Sequence, residues 1–187
     1  DEFLSKLQKF IANGGKVIAS GESIVRDGKF LIDTGAVYKG ENEASPTYFV
    51  PEFQTVNGNT AYIMRCKSYK IDVTDGKTAA FRQDPYFNRT REHFCSHMHA
   101  PNNTDISCPA VVIKGNVSYI AWDMSTAYAT HGHLCFKEIF SYVAKTLLGD
   151  DVTAASSIPD KAVMTLMRQE EEKRSILHLL FAHTTVR

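Results

Sequence analysis

The densest run of chemically competent side chains in this sequence is Arg91-Glu92-His93-Phe94-Cys95-Ser96-His97-Met98-His99. His93 and His97 would share a face on a helix, whereas His97 and His99 would share one on a strand. No single regular backbone therefore turns all three imidazoles, Cys95 and Glu92 toward one metal ion. The spacing also fits none of the recurrent zinc patterns, and Phe94 stands where the zinc-protease signature needs its glutamate. We assign no metal and no cofactor to this run. Polar side chains on an irregular loop suit contacts with a ligand or a subunit interface, so Arg91, His93, His97 and His99 are the candidate contact residues. The aromatics of Asp84-Pro85-Tyr86-Phe87-Asn88-Arg89 could stack on a sugar ring or pack the loop against its scaffold.

Other chemistries find weaker support. A Cys–His nucleophile would need Cys95 or Cys135 beside an imidazole, a matter for the fold rather than for sequence neighbours. Ala19-Ser20-Gly21-Glu22-Ser23 carries one of the two glycines of a nucleophile elbow and reads as a structural turn. Asp33, Glu41, Glu43, Glu52, Asp84, Glu92 and Asp123 are scattered, so no carboxylate pair for glycosidic chemistry can be picked out. Gly14-Gly15 follows a helical pattern, whereas a dinucleotide-binding turn must follow a strand. No catalytic residue is assigned.

Composition narrows the partners. Among 187 residues, 21 Lys and Arg balance 21 Asp and Glu, so the chain lacks the basic surplus of a phosphate-binding surface. Neither nucleic acid nor an anionic membrane is an expected partner, and no apolar run approaches the length of a bilayer-spanning helix. Cys66, Cys95, Cys108 and Cys135 are widely spaced and read as reduced thiols. The chain opens Asp1-Glu2-Phe3 without Met and stops at Val186-Arg187 after an apolar run, as expected of a piece of a longer protein. No compartment is assigned.

The elements that must carry the loop follow from periodicity. Phe3, Leu4, Leu7, Phe10 and Ile11 predict an amphipathic helix over residues 1–13, stopped by Asn13-Gly14-Gly15. Lys16 to Ser20 predicts a short buried strand, so that helix, turn and strand make half of a βαβ unit and imply a parallel sheet. Residues 27–51 read as long loops with short extended pieces. Extended runs follow at 61–66, 69–73 and 77–81, with Asp75-Gly76 as a hairpin signal between the last two. Residues 110–113 and 117–121 flank Gly115-Asn116 as a hairpin, and the apolar face from Leu134 to Leu148 predicts a helix closed by Gly149. The boundaries are a main module over 1–150, a linker over 151–160 and a β-hairpin over 161–187, with its polar tip at Gln169 to Arg174.

Lys9-Phe10-Ile11-Ala12-Asn13-Gly14-Gly15-Lys16-Val17-Ile18-Ala19-Ser20-Gly21 resembles the helix–glycine–strand step of the β-galactosidase trimerisation domain. That domain is a glutamine-amidotransferase-like module of family 42 glycoside hydrolases and their relatives. Two further runs, Asp84 to His99 and Val163 to Arg174, resemble a glycosidase subgroup that includes family 151 α-L-fucosidases. The resemblance implies an α/β, flavodoxin-like three-layer sandwich, truncated at its start, with the hairpin beginning a small β domain. It implies a non-catalytic assembly module, because nothing here resembles the barrel that holds such a family's catalytic carboxylates. The partners it implies are further copies of the chain as a trimer, the catalytic barrel of its parent and carbohydrate. The alternatives are a sugar-binding module and a small Cys/His-dependent hydrolase.

Overall fold

The computed structural model describes residues 2–158 and 162–181. They divide into two units, Asp1–Leu148 and Gly149–Arg187, each described by itself.

The first unit is built on a six-stranded mixed sheet whose spatial order is β1 (Val17–Ser20), β10 (Val117–Ile120), β9 (Cys108–Lys114), β8 (Lys77–Gln83), β5 (Thr47–Pro51) and β6 (Tyr62–Met64). Two smaller ribbons accompany it: β2 (Val25–Arg26) with β3 (Lys29–Phe30), and β4 (Ala36–Glu41) with β7 (Tyr69–Val73). All four residues of β10 are buried, as are Ala110, Val111 and Val112 of β9, so the middle of the sheet is covered on both faces. On one side Tyr119 meets Phe30 edge to face at 4.5 Å and its hydroxyl donates to the Gly21 carbonyl at 2.8 Å. On the other, Phe49 packs on Trp122, Phe53 and Tyr62, and Phe53 stacks at 3.9 Å on Tyr142 of helix α3 (Leu134–Leu148). The buried Trp122 indole donates to Thr47 Oγ1 at 2.9 Å, so the only polar atom of that side chain is satisfied.

Helix α1 (Glu2–Ala12) lays Leu4, Leu7 and Ile11 against the core while Phe3 and Phe10 stay exposed. In α3 the buried stripe is Cys135, Phe136, Ile139, Val143 and Leu147, leaving Leu134, Phe140 and Leu148 outside although the sequence pattern grouped them with the core face. A helix α2 (Met124–His131) precedes it, where no element was predicted. It buries only Met124 and Ala127, too few to show a stripe, and ends on Gly132 in the left-handed conformation. Residues 27–51, read as mostly loop, contain three short strands, β3, β4 and β5, with β5 in the interior of the large sheet.

The flavodoxin-like, glutamine-amidotransferase-like sandwich is not formed, and the chain is mostly β. Strand β1 does form one parallel pair, with β10 and Val17 opposite Val117, but every other pairing in the sheet is antiparallel. Helix α1 precedes β1 and does not connect the parallel partners, whose link runs through β2 to β9, whereas a doubly wound sheet needs a helical crossover between parallel strands repeated along the chain. Asp75-Gly76 also departs from expectation: β7 and β8 do not pair, since β7 joins β4 and β8 joins β9 and β5. The turn instead hands the chain from one sheet to the other. It is held by the Gly35 carbonyl, which accepts from the N–H groups of Thr74, Asp75 and Gly76 at 2.9, 3.4 and 3.1 Å. Gly35 has φ +74, and a side chain on it would collide with the Gly76 backbone.

The second unit contains the hairpin β11 (Val163–Gln169) and β12 (Arg174–Leu180), in register with Val163 opposite Leu180 and Gln169 opposite Arg174. Val163, Met167 and Leu180 lie on one face and Leu166, Leu177 and Leu179 on the other, all exposed.

Candidate functional site

The polar run is carried by residues 84–107, which connect β8 to β9, two antiparallel neighbours in which Arg82 stands opposite Cys108. Its root is tied strongly. Arg82 is buried, and its guanidinium donates to the Tyr69 carbonyl at 2.6 Å and to Asp84 Oδ1 at 2.9 Å. The same carboxylate oxygen accepts from Asn42 Nδ2 at 2.9 Å, so Asp84 is the common anchor of β8 and the chain entering residues 42–45. Across the loop's neck, Asn103 N–H donates to the Asp84 carbonyl at 2.8 Å and Tyr86 N–H to the Pro101 carbonyl at 3.1 Å. Asn102 Nδ2 reaches Gln83 Oε1 at 2.5 Å, and Gln83 Nε2 reaches Ser107 Oγ at 2.8 Å.

Beyond this neck the loop has two arms. The outgoing arm is held by Asn88, whose Oδ1 accepts from Ser45 N–H and whose Nδ2 donates to the Glu43 carbonyl, both at 2.9 Å. The returning arm is held by Tyr48 of β5, whose hydroxyl donates to the Ala100 carbonyl at 2.5 Å. Burial raises the Tyr48 phenol above its ordinary pKa and keeps it a neutral donor. Between the arms a tight turn forms, in which Thr90 N–H donates to the His93 carbonyl at 2.8 Å and His93 N–H to Thr90 Oγ1 at 2.9 Å.

Of the predicted contact residues, His97 and His99 come together, lining an open recess with Tyr48, Met98, Pro101 and Asn102. The His99 ring lies edge-on to Tyr48 with centroids 6.3 Å apart, and its Nδ1 is buried without a hydrogen-bond partner. His93 sits on the other arm, stacked on Phe87 at 3.9 Å and 11°, and Arg91 is exposed at the turn. The aromatics thus split their roles: Phe87 supports an imidazole, while Tyr86 and Phe94 (64% exposed) point outward with Met98 (72%). Among the described residues, no three His, Cys, Asp or Glu side chains gather as a metal site would require.

Sequence reasoning missed Tyr48, Asn42, Arg82 and Asn88. Asn88 lies inside the quoted aromatic run, but its partners are more than forty residues away in sequence and left no local trace. The cysteines are not arranged as nucleophiles. Cys95 Sγ donates to the backbone carbonyls of His97 and His99 at 3.6 and 3.5 Å, and Cys135 Sγ contacts Met64 Sδ at 3.8 Å. Burial pushes the Cys66 thiol up to about 12 and the Cys135 thiol up to about 11, so both stay protonated at neutral pH. Ser20 ends β1, and its N–H donates to Ser23 Oγ of the following turn at 3.2 Å.

No protein-family model matches the chain, and no curated protein matches it. One solved structure is similar over nearly the whole chain: α-L-fucosidase isoenzyme 2 from Paenibacillus thiaminolyticus, at 38% identity over 98% of this chain, with a TM-score of 0.92. The chain spans 28% of that protein's length. The six-stranded mixed sheet and its pinned loop are therefore related to a segment of a fucosidase-type glycoside hydrolase.

Proposed function

We propose that the chain is a non-catalytic accessory segment of a fucosidase-type glycoside hydrolase, serving subunit assembly and lending the loop of residues 84–107 to a neighbouring carbohydrate site. The observation that carries this reading is a loop rooted on a buried guanidinium that still presents Arg91, His97, Tyr86, Phe94 and Met98 to its surroundings. A loop whose backbone is held at its neck and on both arms loses less entropy on meeting a partner than a free one. Likeness to a fucosidase supports a fucoside as the substrate class. Exposed Tyr128 and Phe140, which line the α2–α3 recess, add apolar surface that assembly would cover.

Two measurements test the proposal. In the full-length protein, His97→Ala with His99→Ala should lower fucoside turnover or dissociate the assembly; unchanged turnover and unchanged mass would overturn the loop's role. Light scattering on the chain should give a mass near three copies, and a monomer at every concentration would remove the assembly role.

A second reading, a sugar-binding module acting alone, is favoured by the recess of Tyr48, His97, Met98, His99, Pro101 and Asn102. It predicts a rise in melting temperature of the isolated chain with millimolar fucose, growing with concentration.

A further inference from the structure

We propose that Asn88 is a positioning residue that latches the outgoing arm of the loop in place through a two-point clamp on the backbone at residues 43–45. The carboxamide is the side chain that suits this seat. It offers an acceptor to Ser45 N–H and a donor to the Glu43 carbonyl at once, both at 2.9 Å, as a neighbouring strand would. An aspartate would keep the first bond and set a negative oxygen against the Glu43 carbonyl; an alanine would lose both.

Position makes the clamp consequential. The neck of the loop is fixed by Asp84, Asn102 and Asn103, and the returning arm by Tyr48. Asn88 ties the outgoing arm to a segment outside the loop, and it does so one residue after Phe87, the ring on which His93 stacks, and two before Thr90, which closes the turn. The clamp thereby sets where Phe87, His93 and Arg91 stand relative to His97 and His99. Asn88 is exposed, so removing its side chain opens no cavity and leaves the core as it is. That the loop is presented for contact rests on the function proposed above; the latch itself does not.

Residue-resolved amide exchange on the chain tests it, comparing wild type with Asn88→Ala and Asn88→Asp. Ser45 N–H is a direct reporter because its acceptor is Asn88 itself. In Asn88→Ala the Ser45 amide should exchange at least tenfold faster and residues 90–93 should follow, while the β8 and β9 amides keep their rates. In Asn88→Asp, Ser45 should stay protected because the acceptor remains, and residues 90–93 should exchange faster. Ser45 exchange within twofold of wild type in Asn88→Ala would overturn the latch, and so would an equal acceleration across the whole sheet, which would make Asn88 a residue of global stability. Assembly and turnover of the full-length Asn88→Ala protein are then read separately. An opened arm with both unchanged refutes the loop's function and leaves the latch standing.

Discussion

Replacing Asp84 with Asn should destabilise the first unit by about 2 kcal/mol, a value bracketed by the known costs of breaking buried and exposed ion pairs. The Arg82 side chain is 3% exposed and that of Asp84 36%, with Nε to Oδ1 at 2.9 Å. Deleting one partner of a fully buried pair costs about 3–5 kcal/mol, because the remaining charge is stranded in a poor solvent. An exposed pair is worth about 0–1 kcal/mol. This pair is buried at one end only, and Asn keeps an oxygen able to accept from Arg82 Nε, so the loss falls between those limits. For a chain of this length that corresponds to a fall in melting temperature of roughly 4–8 °C. Urea denaturation followed by fluorescence reads it cleanly, since Trp122 is the one tryptophan and is fully buried. Arg82→Ala, which also gives up the Tyr69 carbonyl, should cost more, about 3–5 kcal/mol. Stability of Asp84→Asn within about 0.5 kcal/mol of wild type would refute the reasoning, because that is the range of a surface change touching nothing.

Gly35→Ala should cost about 2–4 kcal/mol in the same assay, from the left-handed backbone at φ +74 together with a methyl driven against the Gly76 backbone. Tyr62→Phe should cost about 1 kcal/mol, since the phenol bonds Glu138 Oε2 at 2.8 Å and Thr55 Oγ1 at 3.0 Å, pinning residues 55–62 to α3. The folded-state thiols of Cys66 and Cys135 sit near 12 and 11, above their ordinary 9.0, so the folded chain holds protons that the unfolded chain has released. Their contribution is complete below about pH 9 and is lost as pH climbs toward 11–12; urea midpoints between pH 8 and 10.5 should fall, and less steeply in a Cys66→Ala, Cys135→Ala double variant.

What the sequence disclosed was local. The hairpin around Gly115-Asn116 is formed as read, with Val117 opposite Lys114, because a two-residue turn between apolar runs dictates its own pairing. Helix α3 spans Leu134–Leu148 because its apolar spacing and closing glycine act within one element, and the hairpin of the second unit follows from two apolar runs flanking a charged tip. What stayed hidden was pairing between distant segments. The Asp75-Gly76 turn looks like a hairpin over a few residues, and only the Gly35 carbonyl forty residues earlier makes it a crossing between sheets. Likewise the loop announced its histidines, but the Asn42–Asp84–Arg82 anchor and the Asn88 clamp join residues whose sequence separation leaves no periodic signal.

Residues 84–107 join strands that already lie side by side, with Phe81 opposite Pro109 and Arg82 opposite Cys108. Topologically the segment is an overgrown hairpin turn, and the sheet does not need its length to keep its order. A scaffold arranged this way separates the invention of a binding surface from the upkeep of the fold: the excursion can be shortened, exchanged or redesigned between two fixed posts. Excising its outer part and closing the gap with a short turn would yield a chain that keeps the sheet and loses the contacts, a matched control for what the loop contributes.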